Sequence, residues 1–92
     1  VVPRLFEDAT LAHALAREAD VVVANTILAM RVVHAARAAG TPCLWWVHEA
    51  AFGRDLAATT RHTAAAFDAA DALVFPSQAQ AALYAPWAPA GR

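Results

Sequence analysis

Cysteine is almost absent: Cys43 alone occurs among 92 residues, which excludes an internal disulfide and any multi-cysteine metal site. An excess of positive charge is lacking as well. The formal net charge is -1 and the seven basic residues are scattered along the chain. No electrostatic footprint for nucleic acid or an anionic membrane results, so neither partner is expected. A long apolar run is also missing, since the stretch from Val21 to Met30 meets Arg31 before it could span a bilayer. No transmembrane segment is expected. The amino terminus has no basic segment followed by an apolar signal core, and a free thiol inside an apolar stretch fits a reducing compartment. Both point to a cytoplasmic protein. The patterns G-x-G-x-x-G, G-x-x-x-x-G-K-[ST] and G-x-S-x-G do not occur, which removes the dinucleotide fingerprint, the phosphate loop and the nucleophile elbow. His48-Glu49 does not begin a zincin motif, because Phe52 stands where the second histidine would be. No metal and no cofactor is expected.

What the chain does contain is core material. Apolar residues make up 60% and charged residues 16%, more apolar than an ordinary soluble domain. Much of the excess is alanine, which favours helices but fills little volume. Ninety-two residues allow one domain at most, with a thin core. Asp8 is a candidate N-cap for a helix over about Ala9 to Ala19, with Leu11, Ala12, Leu15, Ala16 and Ala19 on its apolar stripe. Val21 to Ala24 reads as a β-branched strand. Asn25 and Thr26 then precede a helix from Ile27 to Ala39 whose stripe is Leu28, Val32, Ala35, Ala36 and Ala39; Gly40 closes it and Pro42 prevents continuation. Leu44 to Val47 forms a central strand. A loop with a hinge at Gly53 leads to a helix over about Asp55 to Ala70, a third strand at Ala72 to Phe75, and a short helix to about Ala85 opened by a Ser77–Gln80 capping box.

Helices alternating with apolar strands predict an α/β fold: a three-layer, Rossmann-like parallel sheet with crossover helices, incomplete at about three strands and four helices. Trp45 and Trp46, adjacent on a strand, must face opposite sides of the sheet, and a core on both sides is the expected reason for two such rings, with stacking on a sugar as the minor alternative. Parallel strands place their carboxyl ends on one rim, where α/β proteins bind ligands. Asn25, Thr26, His48, Glu49 and Ser77 all fall there. Two readings fit His48 and Glu49: acid–base or hydrogen-bonding chemistry at a crevice, or the capping of local backbone groups. Asn25 and Ser77 read first as helix caps, and a helix amino terminus at a strand end also suits a ligand anion or hydroxyl. Arg54, beside Gly53, either reaches a phosphate or is an ordinary loop arginine. His13, His34 and His62 have no partners at metal spacing and read as solvated.

One composite pattern covers most of residues 20 to 84: Asp20-Val21-Val22-Val23-Ala24-Asn25-Thr26, an alanine-rich helix ending Ala39-Gly40-Thr41-Pro42, then Trp45-Trp46-Val47-His48-Glu49, then Ala70-Asp71-Ala72-Leu73-Val74-Phe75-Pro76-Ser77. In order and spacing it resembles the amino-terminal domain of retaining family-4 glycosyltransferases of the GT-B architecture. The resemblance implies two Rossmann-like domains facing a cleft, the first holding the sugar acceptor and the second the nucleotide-sugar donor. It implies that His48 lies near the reaction centre and hydrogen-bonds the donor sugar or its leaving phosphate, or orients the acceptor. Glu49 matches the His-Glu variant of that motif, so His48 and Glu49 are the candidate catalytic pair. Asn25 and Thr26 would line the acceptor side, with Arg54 and Ser77 as further substrate-binding candidates. Such enzymes usually need no bound metal, and no Asp-x-Asp motif occurs here.

The opening strands with their glycine-rich loop and the carboxyl-terminal domain with its paired-glutamate motif are not in the sequence. Residues 1–92 are therefore expected to be a partial amino-terminal domain of a longer enzyme, inactive alone in sugar transfer. The alternative is a small non-catalytic α/β module that binds a partner or ligand.

Overall fold

The apolar stretch after Pro42 forms the middle strand of a three-stranded parallel sheet with order β1-β2-β3. A computed structural model of the chain describes residues 9–89; the cap expected at Asp8 lies outside them. The elements run α1 (Ala9–Glu18), β1 (Val22–Asn25), a 3₁₀ turn (Ile27–Ala29), α2 (Met30–Ala39), β2 (Cys43–Trp46), α3 (Ala51–Thr59), α4 (Arg61–Ala69), β3 (Ala72–Val74) and α5 (Gln78–Leu83). This is the α/β fold expected, an incomplete Rossmann-like unit. Val23 pairs with Leu44 and Leu44 with Ala72, so the three strands are in step and end together.

Pleating sorts the strand residues by face. Ala24, Cys43, Trp45 and Leu73 point into a core completed by Ile27, Val33, Ala36, Ala57, Phe67 and Tyr84. Trp45 is fully buried, its ring centroid 4.7 Å from that of Phe67. A side chain of this size removed from water stabilises by a few kcal/mol, and its truncation costs about 3–5 kcal/mol. The other face departs from the expected two-sided core. Val23 is 61% exposed, Trp46 41% and Val74 37%. Among the described residues the core-forming helices all pack against the Trp45 side.

Several local expectations change for identifiable reasons. The buried residues of the second helix are Ile27, Ala29, Val33, Ala35 and Ala36, while Leu28 is exposed. The 3₁₀ turn, with three residues per turn, rotates the stripe relative to an uninterrupted α-helix. Alanine lets α1 come close: Ala12 and Ala16 pack against Ala35, and Leu15 stays exposed. Gly40 takes a left-handed conformation with φ 72°, and the Thr41 amide donates to Ala36 O at 2.9 Å, the helix end expected of a glycine there. The single helix predicted over Asp55 to Ala70 is two, broken at Thr60, which is extended. The histidines of the helical layer also have neighbours. His34 Nε2 donates to His62 O at 2.9 Å, the two rings lie 4.2 Å apart, and with His13, Met30, Arg31 and Thr60 they line an open cavity of about 480 Å³. Burial, then the nearby charges of His34 and Arg31, hold the His62 imidazole below its ordinary pKa.

Gly53 is the most consequential correction. It is no loop hinge but a buried residue in the first turn of α3. A β-carbon there would overlap the Tyr84 hydroxyl and lie 3.0 Å from Glu49 Cβ. Glycine inside a helix normally costs about 1 kcal/mol relative to alanine. Here packing reverses the sign: Gly53→Ala is expected to destabilise the chain by about 1–3 kcal/mol through overpacking. Urea unfolding checks this, and a raised midpoint for the variant would contradict the packing described.

Candidate functional site

Where β1 and β2 end, two turns are stitched together by side chains far apart in sequence. Trp46 O accepts from the Thr26 amide at 2.9 Å, and the next residues leave the sheet. Thr26 then adopts φ 82°, ψ 151°, a region that a β-branched residue enters at a cost of about 1–3 kcal/mol and that concentrates at functional sites. Three contacts hold it. Trp45 Nε1 donates to Thr26 O at 2.8 Å, the Thr26 hydroxyl donates to Glu49 Oε2, and the adjacent Ile27 amide donates to Glu49 Oε1 at 2.8 Å.

Glu49 is thus a carboxylate fixed across the opening of the 3₁₀ turn. Burial disfavours its charge, but the donors from Thr26, Ile27 and the backbone of Glu49 and His48 outweigh that, and its pKa lies below the ordinary carboxylate value. It remains ionised at neutral pH. Its position favours the turn electrostatically too, since unsatisfied amides at a helix start attract negative charge.

His48 points the other way, outward. It is exposed; its Nε2 meets Asn25 Oδ1, and its ring centroid lies 4.6 Å from that of Trp46. With Asn25 Oδ1 accepting, Nε2 is the donor of this contact. Asn25 is therefore not a helix cap but the last residue of β1, turned toward the imidazole. The cap of the following turn is Thr26, whose Oγ1 accepts weakly from the Leu28 amide at 3.4 Å.

From the segment after the third strand come two residues, Gln80 on α5 and Tyr84 at its C-cap, whose contacts at the rim the sequence did not indicate. Ser77 Oγ accepts from the Gln80 amide at 3.2 Å, as the capping box requires. The reciprocal half is not made, for Gln80 Nε2 instead donates to His48 O at 3.2 Å. One turn later Tyr84 donates to Glu49 O and lies 3.3 Å from Ala50 O. A buried tyrosine after a strand seeks a partner for its hydroxyl; that general signal existed in the sequence, but nothing there named the carbonyls. Ser77 thus belongs to the rim through Gln80. Arg54 does not join the cluster: it is exposed on α3, with its guanidinium 3.4 Å from the Asp55 carboxylate.

Cys43 lies at the opposite end of β2. Burial, then the Asp71 carboxylate, push its thiol up to about 11, so it stays protonated and unreactive. Among the described residues no group of three or more His, Cys, Asp or Glu is placed to hold a metal ion, and no helix is long and apolar enough to cross a membrane. The chemistry available at the rim is that of an exposed imidazole, a neighbouring amide and an indole face.

No curated protein matches the chain, and no solved structure does. A family model described as glycosyl-transferase family 4 matches residues 1–91. That match spans nearly the whole sequence and includes every element of the rim, and the chain belongs to glycosyltransferase family 4.

Proposed function

We propose that the chain is the acceptor-side part of a retaining glycosyltransferase of the GT-B architecture, moving a sugar from a nucleotide-sugar donor to an acceptor hydroxyl. The observation that carries this reading is the pairing of His48 with Asn25 at the carboxyl ends of β1 and β2, the edge where α/β sheets bind ligands. Asn25 and Thr26 line the acceptor side. His48 is the catalytic candidate: Nδ1 accepts a hydrogen bond from the acceptor hydroxyl, or the ring donates to the donor sugar or its leaving phosphate. In transfer the bond between the sugar's anomeric carbon and the leaving phosphate breaks, the acceptor oxygen takes its place with configuration retained, and the acceptor's hydroxyl proton leaves with the departing nucleoside diphosphate. Glu49 is already engaged by Thr26 and Ile27, so its part is to fix the turn that carries His48. The exposed rim forms one wall of the cleft, and the donor is held by a second domain.

Three outcomes test this. In the protein that contains the chain, His48→Ala is expected to lower turnover about 10²-fold or more, with the circular dichroism spectrum unchanged; unaltered turnover would remove His48 from the site. Incubated alone with nucleotide-sugars, the 92-residue chain is expected to transfer no sugar, as followed by release of nucleoside diphosphate. Sustained turnover by it would refute the half-site reading. For Glu49 the sign follows from its lowered pKa. Its contribution is fully present above the unfolded-state value, about 4.3, and is lost as pH falls through the lower folded value. Glu49→Gln is therefore expected to cost about 1 kcal/mol or more at pH 7, in line with hydrogen bonds to a charged group. The gap from the parent should close in acid below pH ~4; urea midpoints at several pH values measure it.

A further inference from the structure

Three consecutive carbonyls follow β2, those of His48, Glu49 and Ala50, and each is met by a side chain from one short segment. Gln80 Nε2 donates to His48 O at 3.2 Å; the Tyr84 hydroxyl donates to Glu49 O and lies 3.3 Å from Ala50 O. Gln80 and Tyr84 are four residues apart at the α5 end of the chain, so they project from the same side of the helical turn. We propose that this pair is a carbonyl clamp that positions His48 for the reaction, holding the backbone of the turn so that the imidazole stays directed at Asn25.

The clamp is rigid where it needs to be. Tyr84 is fully buried, its ring stacked at 5.3 Å from Phe67 and 5.4 Å from Phe75. The ring cannot swing, so the place of its hydroxyl is fixed by the core. Burial, then the Glu49 charge, push the phenol up to about 12, which keeps it a donor at any physiological pH. Gly53 provides the opening on the opposite wall, since a β-carbon there would meet the hydroxyl. Gln80, in contrast, is half-buried on a helix with no buried residue of its own. Its amide contributes little to the core, and its hydrogen bond goes to the carbonyl of His48, the residue whose imidazole meets Asn25. Ser77 completes the arrangement by fixing the first turn of α5 through the Gln80 amide.

The inference rests on the reading of His48 as a transferase residue, but its first test does not. The imidazole resonances of the four histidines are followed by NMR, with His13, His34 and His62, which lie outside the clamp, as internal controls. Gln80→Met keeps the shape of the side chain and removes the donor; Tyr84→Phe keeps the stacked ring and removes the hydroxyl. Both are expected to shift and broaden the His48 resonances and leave the other three in place. In the protein that contains the chain, both should lower kcat by about 10- to 10²-fold, the range for a misplaced catalytic group, with KM for the acceptor nearly unchanged. His48 resonances unmoved in Gln80→Met would overturn the clamp whatever the activity, and that variant decides the matter even where Tyr84→Phe fails to fold. Displaced resonances with unchanged kcat would uphold the clamp as a structural device but overturn its role in the reaction, together with the reading of His48.

Discussion

Everything at the rim depends on where the Glu49 carboxylate is placed. One oxygen takes the Thr26 hydroxyl and the other the Ile27 amide, so a single side chain from the end of β2 closes the turn that follows β1. Without it Thr26, whose positive φ is a conformation that threonine resists, would keep only its contacts with Trp45 and Trp46. With it, the strain is over-determined by neighbours on three sides, the condition under which strained residues persist. The ends of two parallel strands become one rigid platform. His48, the residue before Glu49, inherits its direction from that platform.

The core supplies the platform's foundation through Trp45. Its indole fills the centre of the buried face, while its N–H reaches Thr26 O at 2.8 Å. One residue therefore links the apolar packing of the helical layer to the polar geometry of the rim. The same alternation that buries Trp45 turns Trp46 outward beside His48. Trp45 and Trp46 are sorted by the pleat, and beyond the end of β2 Val47 is buried again while His48 is exposed.

Much of this was legible in the sequence, and the reasons differ by residue. The strands were visible because β-branched and aromatic runs between alanine-rich helices have few other solutions. Their parallel order follows from the crossover helices, and that order is what gathers Asn25, Thr26, His48 and Glu49. What stayed hidden were facts about partners. Asn25 looked like a cap because its residue type favours caps; only the register, which sets Asn25 against Trp46, brings it within reach of His48. Gly53 looked like a hinge because glycine usually marks backbone freedom, and here it marks lack of space instead. Gln80 was read within its own helix, since a capping box is a local pattern, yet its side chain chose a carbonyl 32 residues away. Arg54 offered charge next to a supposed loop, and the helix that replaced the loop holds it beside Asp55.

The span of these contacts also bears on how the chain folds. Thr26 and Glu49 are 23 residues apart, and Tyr84 and Glu49 are 35. Every such contact closes a loop whose entropy must be lost before the contact forms, which makes non-local parallel pairings slow. The hydrogen bonds of the helices are local; those of the rim are not. It comes into being only when three strands are in register and the segment around Tyr84 has docked. The rim therefore exists only in the folded chain, since each of its contacts needs two segments that folding alone brings together.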